Sequence, residues 1–194
     1  MQAHQSETDE EKKKDKVRLR AVLLSARRGL APAKRMAATA AIEDGVMRWW
    51  ETHRPPSLGV YWPIRSEPDL RPLYAMLLAR GVELALPTVD DDRQPLRFLA
   101  WRQGDTLNED RFGVAVPAQG NVILPAALLI PCVGFNASRI RLGYGGGFYD
   151  RTLAQTPRPI TLGIAYECGA AQFDGEAHDI ALDAVLTESR LIGI

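Results

Sequence analysis

The segment 143–147 holds four glycines in five residues and is the part of the chain best suited to chemistry. A short apolar run, residues 128–135, precedes it and predicts a buried strand. Residues 148–153 follow it and predict the opening of a helix. Glycines let a backbone approach a ligand closely, and the free N–H groups at a helix start can face an anion. This order of strand, loop and helix favours binding of a polyphosphate.

Two arginines, Arg141 and Arg151, flank the glycines and could form charge-assisted hydrogen bonds with phosphate oxygens. The alternative is a glycine-rich surface turn between two solvated arginines. Neither common phosphate-loop pattern is present. Residues 143–150 contain no lysine and no serine or threonine, which excludes the Walker pattern, and the glycine spacing differs from that of dinucleotide folds.

A basic segment near the start of the chain, residues 11–28, predicts a helix that ends at Gly29. Its predicted apolar stripe is made of Val17, Ala21, Val22, Leu23, Leu24 and Ala26, with the basic residues on the opposite side. Lys16 and Arg20 are four residues apart and therefore share one helical face. Such a face is either solvated or able to bind an anion. Residues 1–10 are polar and predict a disordered tail.

The remaining pattern alternates helices with apolar strands. A helix opening at Pro32 is predicted to bury Met36, Ala40, Val46, Trp49 and Trp50. Strands are predicted over residues 58–64, 82–87, 96–101 and 160–166, with 82–87 and 96–101 forming a hairpin at a sheet edge and a helix ending at Gly81. This alternation predicts a single three-layer α/β domain over residues 11–194, Rossmann-like, with a mostly parallel sheet and helices on both faces. Ligands of such sheets bind at the carboxyl ends of strands.

Composition restricts the class of partner. The 24 basic and 24 acidic side chains cancel, so no overall field favours nucleic acid or an anionic membrane. No apolar leader or membrane-spanning run is present, which predicts a cytoplasmic protein. Cys132 and Cys168 are predicted to be buried thiols, and the three histidines are too scattered for a zinc site. We expect a monomer that binds small molecules.

The sequence Arg-Leu-Gly-Tyr-Gly-Gly-Gly-Phe-Tyr-Asp-Arg at 141–151, together with Pro-Cys-Val-Gly-Phe-Asn at 131–136, closely resembles the signature of the 5-formyltetrahydrofolate cyclo-ligase family. The family is also called methenyltetrahydrofolate synthetase, and the resemblance extends from Lys16 to Arg190. It implies ATP- and Mg2+-dependent conversion of 5-formyltetrahydrofolate to 5,10-methenyltetrahydrofolate, releasing ADP and phosphate. In the family mechanism the formyl oxygen attacks the γ-phosphorus to give an imidate phosphate. N10 then attacks the formyl carbon and phosphate leaves.

The resemblance also implies residue roles. The implied catalytic residues are Arg141 and Tyr149. The implied ATP-binding residues are Lys16, Arg20, Arg141, Leu142, Gly143, Tyr144, Gly145, Gly146, Gly147, Phe148 and Tyr149. The implied folate-binding residues are Trp62, Glu67, Phe112, Tyr144 and Phe148. The implied magnesium ligands are Asp150 and Asp179, with Asp183 in reserve.

Several of these roles have structural alternatives. Glu67 could instead be an acid in the first turn of a helix, where the helix dipole favours it. Asp150 and Asp179 could cap a helix and a turn. Tyr144 stands where an arginine is frequent in the family, and Gly146 stands where some members carry a lysine. The alternative function is a folate- or nucleotide-binding protein of the same fold without catalysis.

Overall fold

The computed structural model describes the backbone of residues 2–193, and the side chains of these residues except 2–10 and 12. The helices are α1 (Gln2–Arg28), α2 (Pro32–His53), α3 (Arg71–Ala79) and α4 (Phe148–Leu153), with a 3-10 turn at Glu167–Gly169. The strands are β1 (Ser57–Gly59), β2 (Glu83–Thr88), β3 (Arg97–Trp101), β4 (Leu107–Glu109), β5 (Ala115–Pro117), β6 (Val122–Ile123), β7 (Ala127–Pro131), β8 (Gly134–Phe135), β9 (Arg141–Leu142), β10 (Ile160–Ile164), β11 (Ala184–Leu186) and β12 (Leu191–Gly193). No described helix is both long and apolar enough to cross a bilayer.

One eight-stranded sheet organises the chain, in the order β12-β11-β10-β7-β1-β2-β3-β6. The strands from β11 to β2 are parallel, and the antiparallel strands β12, β3 and β6 lie outside them. In chain order these parallel strands are β1, β2, β7, β10 and β11, so their spatial order is 2-1-3-4-5. This is a doubly wound order whose switch point lies between β1 and β7, where ligands bind beyond the carboxyl ends of the strands. The predicted mostly parallel α/β sheet is confirmed.

Alternating side chains of the strands fill a separate core on each face of the sheet. Leu129 of β7 and Leu84 of β2 pack with α2 and α3 on one face. Leu128 and Ala85 face the other side, where Leu153 of α4 packs. Because successive strand residues point to opposite faces, continuous apolar strands require cover on both sides. The three layers follow from this pattern.

Helix α1 differs from its prediction in two ways. It begins at Gln2, and the backbone of residues 2–10, predicted as a disordered tail, is helical. No proline or glycine interrupts residues 2–28, so nothing in the chain stops the helix there. The predicted apolar stripe is wrong at Val17 and Val22, which are 57% and 63% exposed, whereas Leu23 is buried and Leu24 packs beside it. The division between a tail and a domain starting at residue 11 stays a prediction.

Three other elements depart from the sequence pattern. In α2, Met36 and Ala40 are exposed, while Trp49 and Trp50 are buried as predicted. The predicted strand over residues 58–64 ends at Gly59, because the chain turns away from the sheet after Val60. The predicted hairpin forms from β2 and β3, but the short strand β6 pairs outside β3 and takes the edge.

Candidate active site

The loop after β1, residues 60–70, brings Glu67 to the switch point. The buried hydroxyl of Tyr61 donates to the carbonyl of Pro68 at 2.7 Å, and that of Tyr74 donates to the carbonyl of Tyr61 at 2.9 Å. Glu67 closes the turn, since its Oε2 accepts from the N–H of Ile64 at 2.9 Å. Glu67 is therefore not in the first turn of a helix, as α3 begins only at residue 71. The helix-dipole explanation for this acid does not apply.

The glycine loop follows β9, at the carboxyl end of the neighbouring strand β7. The side chain of Asn136 fixes its approach by accepting from the N–H of Ile140 and donating to the carbonyl of Phe173, both at 2.9 Å. Gly145 and Gly147 have φ of 99° and 66°, a region that other residues rarely adopt. Within the described chain, no N–H of residues 144–147 donates to another backbone carbonyl. The loop thus exposes several N–H donors that suit an anion.

Arginines hold the glycine loop from two sides. Arg20 of α1 donates from Nε to the carbonyl of Gly143 at 2.8 Å. Arg151 of α4 donates from Nη2 to the carbonyls of Gly146 and Asp92, each at 2.8 Å. Burial lowers the pKa of Arg20 despite the nearby carboxylates of Glu176 and Asp179. Arg20 of α1 therefore lies at the glycine loop, and its role in ATP binding stays a prediction.

The remaining predicted phosphate cations pair with the predicted magnesium carboxylates. Arg141 is buried and lies 2.9 Å from Asp150, which also accepts from the N–H of Ile180 at 3.1 Å. Lys16 lies 2.9 Å from Asp179 and 2.7 Å from Glu176. Because Asp179 directly precedes Ile180, the two carboxylates belong to one region. The distant aspartates are therefore brought to the glycine loop.

Each member of the Lys16 pair alters the other's proton affinity. Burial would lower the pKa of Lys16, but hydrogen bonds to Asp179 and Glu176 outweigh burial and raise it. Burial likewise would raise the pKa of Asp179, but the hydrogen bond from Lys16 and the N–H of Glu176 lower it overall. Both groups are consequently held in their charged forms.

Glu67 and the glycine loop meet through Tyr144. The Tyr144 hydroxyl donates to Glu67 Oε1 at 2.7 Å and accepts from Arg27 Nη2 at 2.7 Å. Glu67 and Arg27 are 5% and 3% exposed, so both ends of this chain of groups are buried, whereas Tyr144 between them is partly exposed. Burial raises the pKa of Glu67, although the hydrogen bonds from Tyr144 and Ile64 and the charges of Arg27 and Arg65 oppose it. Tyr144 thereby links the glycine loop to the predicted folate acid.

Tyr149 lies near both Arg141 and Glu67. The guanidinium of Arg141 is 5.6 Å from the centre of its ring. Burial raises the pKa of Tyr149 well above its ordinary value, and the charge of Glu67 adds to the effect. The phenol therefore stays protonated at neutral pH and can donate a hydrogen bond to a substrate oxygen.

The predicted folate-binding aromatics fall into two places. Phe112 is half-exposed and packs edge-on against Phe148 at 5.9 Å between ring centres, next to the glycine loop. Trp62 instead packs against Trp101 at 6.0 Å and lines an open cleft of about 470 Å³ with Arg71. Trp62 is joined to the site by the loop that carries Glu67, without a described side-chain contact to Phe112 or Phe148.

The aspartates allow a test of the predicted magnesium site. Among the described residues, no three His, Cys, Asp or Glu side chains cluster as ligands. Magnesium commonly takes only one or two carboxylates, with phosphate oxygens and waters completing its shell, so Asp150 and Asp179 fit this chemistry. Asp183 does not, because it accepts from the N–H and hydroxyl of Thr161 and pairs with Arg158 at the amino end of β10. The reserve candidate thus lies at the other end of the sheet.

Sequence reasoning missed Arg27, although the helical period carries a signal for it. At 100° per residue, eleven residues return to within about 20°, which places Arg27 on the same face as Lys16. Arg20 and Leu23 lie on that face too, and it is the face that α1 buries against the site. The face contains three cations, of which sequence reasoning singled out only Lys16 and Arg20.

The strand order and the location of the site define a doubly wound α/β protein with a ligand crevice at the switch point. The model of the 5-formyltetrahydrofolate cyclo-ligase family matches residues 12–188, so the chain belongs to that family. This confirms the resemblance in the glycine signature.

Individual relatives agree with the family. The 5-formyltetrahydrofolate cyclo-ligase of Mycolicibacterium smegmatis is 32% identical over 191 residues, covering 91% of this chain and 95% of that protein. That of Escherichia coli K12 is 31% identical over 144 residues, covering 70% and 79%. The NMR structure of Aquifex aeolicus 5,10-methenyltetrahydrofolate synthetase has a TM-score of 0.79 at 27% identity and covers 91% of each chain. The Mycoplasma pneumoniae synthetase, with a TM-score of 0.76 at 24% identity and coverage of 90% and 99%, shows the fold alone.

Proposed function

We propose that this protein converts 5-formyltetrahydrofolate to 5,10-methenyltetrahydrofolate with consumption of ATP and release of ADP and phosphate. The observation that supports this most directly is the 2.7 Å hydrogen bond from Tyr144 to Glu67. It joins the loop suited to a triphosphate to the buried acid suited to a pterin, so the two ligands would bind side by side. A protein that only held one ligand would have no need of this junction.

The nucleotide half contains the cations and N–H donors. Arg20 and Lys16 approach from α1, Arg141 is buried beside Asp150, and the N–H groups of residues 144–147 have no backbone acceptor within the described chain. A polyphosphate carries negative charge at every phosphate, and such donors stabilise it by charge-assisted hydrogen bonds. Phosphoryl transfer depends mainly on positioning and charge neutralisation of this kind.

The folate half contains Glu67, Tyr149 and the aromatic surface of Phe112 and Phe148. A carboxylate accepts hydrogen bonds from ring N–H groups, so the buried Glu67 would hold the pterin. Tyr149 remains a phenol and would donate to the formyl oxygen, holding it near the γ-phosphorus. Phe112 presents an exposed ring face for stacking.

The reaction then needs two displacements. The formyl oxygen attacks the γ-phosphorus and ADP leaves, which turns a poor leaving oxygen into a phosphate ester of the imidate. N10 next attacks the formyl carbon, the C–O bond breaks, and inorganic phosphate departs with the proton that N10 loses. Arg141 is buried beside both Tyr149 and Asp150 and would neutralise charge on the transferred group.

Asp150 and Asp179 would hold the magnesium ion that accompanies ATP. When bound, the ion supplies charge neutralisation on the phosphate oxygens. The two carboxylates are paired with Arg141 and Lys16, so the acids that would hold the ion lie beside the cations that would bind the phosphates.

A spectrophotometric assay tests the function. Purified protein is mixed with 5-formyltetrahydrofolate and magnesium, with or without ATP, and the methenyl chromophore is followed. We expect the chromophore only with ATP, with one ADP formed per methenyl product. Binding of both ligands in calorimetry without any chromophore would instead identify a non-catalytic folate- and nucleotide-binding protein.

A further inference from the structure

Arg27 is a buried cation whose contacts lead to the folate half of the site. Its Nη2 donates to the Tyr144 hydroxyl at 2.7 Å and its Nη1 lies 3.5 Å from the carbonyl of Cys132. Its Nε has no hydrogen-bond partner among the described residues. A buried charge without a compensating charge is costly. The carboxylate that compensates it is Glu67, which the same Tyr144 hydroxyl reaches.

From these contacts we infer that Arg27 is a positioning residue that acts on Glu67 through the Tyr144 hydroxyl. The hydroxyl has one proton, and accepting from Arg27 leaves that proton for Glu67 Oε1. Arg27 therefore fixes the direction of the hydroxyl as well as supplying charge. The inference rests on the proposed role of Glu67 in binding the pterin, and it assigns Arg27 to specificity for folate and not to the phosphates.

Arg27 is important for the ionisation of Glu67, because most of the groups near this carboxyl do not stabilise its negative charge. The titratable groups near enough to interact with the charge of the carboxylate are the cations Arg27 and Arg65, the phenols of Tyr61, Tyr74, Tyr144 and Tyr149, and the thiol of Cys132. The phenols stay neutral at physiological pH because burial raises their pKa values. Arg65 is exposed and water screens it, whereas Arg27 is buried.

Titration of Glu67 in the ligand-free protein tests the inference directly. The protein is labelled with carboxyl-13C glutamate, and the Glu67 resonance is assigned by its loss in Glu67→Gln. In Arg27→Gln we expect the midpoint of the Glu67 titration to rise by about one pH unit, since both a charge and an oriented hydrogen bond are lost. Arg27→Lys, which retains the charge, should restore part of the shift. Arg28→Gln, at an exposed neighbouring position of α1, is the matched control.

Tyr144→Phe gives a second, independent arm. It removes the hydroxyl but keeps a ring that is 37% exposed, so the variant should fold even if Arg27→Gln does not. We expect a rise of the Glu67 midpoint. Adding Arg27→Gln to Tyr144→Phe should raise it further by less than Arg27→Gln does alone, because only the charge of Arg27 is then lost. A Glu67 midpoint in either variant equal to that of Arg28→Gln would overturn the inference.

Affinity for 5-formyltetrahydrofolate connects this titration to function. In calorimetry at several pH values, Arg27→Gln should lose about tenfold in affinity at a pH where Glu67 is protonated only in the variant. ATP affinity should not change. If the parent binds no 5-formyltetrahydrofolate, the proposed function fails, yet the Glu67 titration still decides the inference.

Discussion

The two halves of the site hold their charges in opposite ways. In the nucleotide half, Arg141 meets Asp150 and Lys16 meets Asp179 directly, each at 2.9 Å. In the folate half, Arg27 and Glu67 are separated by the hydroxyl of Tyr144. Direct ion pairs can exchange partners when another charged ligand arrives. A carboxylate held by a neutral hydroxyl instead stays in one place and keeps lone pairs free to accept from the N–H groups of a neutral ring.

The largest effect should come from breaking the buried pair of the nucleotide half. Arg141→Gln leaves Asp150 without its cation, and removing one partner of a buried ion pair costs about 3–5 kcal/mol. Arg158→Gln is the matched control, since its pair with Asp183 at 3.1 Å is more exposed. We expect Arg158→Gln to lower the free energy of unfolding by less than about 1 kcal/mol. Urea unfolding measures both, and equal losses would contradict the contrast in burial.

A second effect should separate the helix cations from the folate half. The double variant Lys16→Ala, Arg20→Ala removes two phosphate-directed cations and should raise the KM for ATP by at least about tenfold. The KM for 5-formyltetrahydrofolate should change little. Lys13→Ala, Lys14→Ala is the control, because both residues are exposed on the same helix. Steady-state kinetics that left the ATP constant unchanged would make this face of α1 structural.

A third effect should be confined to the folate half. Glu67→Gln keeps the shape but replaces one acceptor oxygen with a donor, so folate affinity should weaken by about 1–3 kcal/mol. Nucleotide affinity should remain at the parental value. Glu83→Gln, at an exposed position of β2, is the control. The assignment of Glu67 to the pterin would be wrong if calorimetry gave the same folate affinity for parent and variant.

A fourth and smaller effect concerns magnesium. Asp150→Asn and Asp179→Asn should each raise the magnesium concentration for half-maximal rate several-fold, on the order of 1 kcal/mol. Folate binding without nucleotide should be retained. Asp183→Asn serves as the control at the opposite end of the sheet. Parental magnesium dependence in a folded Asp150→Asn enzyme would identify this aspartate as a partner of Arg141 and the Ile180 N–H only.

The sequence predicted most about the glycine motif, because the same residues indicate both the local structure and the kind of ligand. The glycines and Asn136 indicated a strand, a loop and a helix start, and these elements lie at the predicted carboxyl end of the sheet. The family and the mostly parallel sheet could be predicted from this motif and from the alternation of helices and strands. The residue roles remain predictions, although Arg20, Arg141, Glu67 and Asp150 lie around one site.

The faces of α1 could not be predicted from apolar residues alone. Its buried face contains Lys16, Arg20 and Arg27, because the site beneath it supplies carboxylates, carbonyls and a hydroxyl as partners. A hydrophobic pattern assumes that a buried face meets an apolar core. Val17 and Val22 then point to solvent, since the helix must turn its cations inward. Only the tertiary contacts of α1 reveal that its basic face, and not its valines, is buried.

The smallest predicted effect is a pH dependence of stability with opposite signs in the two halves. The pKa of Asp179 is lowered from its ordinary value of 3.8, because the hydrogen bond from Lys16 and the other favourable contacts outweigh the effect of burial. Ionised Asp179 therefore stabilises the folded state at pH values above 3.8. This contribution is lost as the pH falls through the folded pKa. The pKa of Glu67 is raised from 4.5 by burial, so the folded state binds its proton more tightly than the unfolded chain. The stability from Glu67 is therefore present below 4.5 and lost as the pH rises through the folded pKa.

Two variants separate these contributions in urea unfolding over a pH series. Asp179→Asn should remove part of the loss of stability below about pH 4, by an amount under about 1 kcal/mol because the pair is partly exposed. Glu67→Gln should remove part of the decline that occurs as the pH rises above about 4.5. The parent is expected to show both slopes. If both variants changed the profile in the same pH range and direction, the bridged carboxylate would be held like the direct ion pair, and the contrast between the two halves would fail.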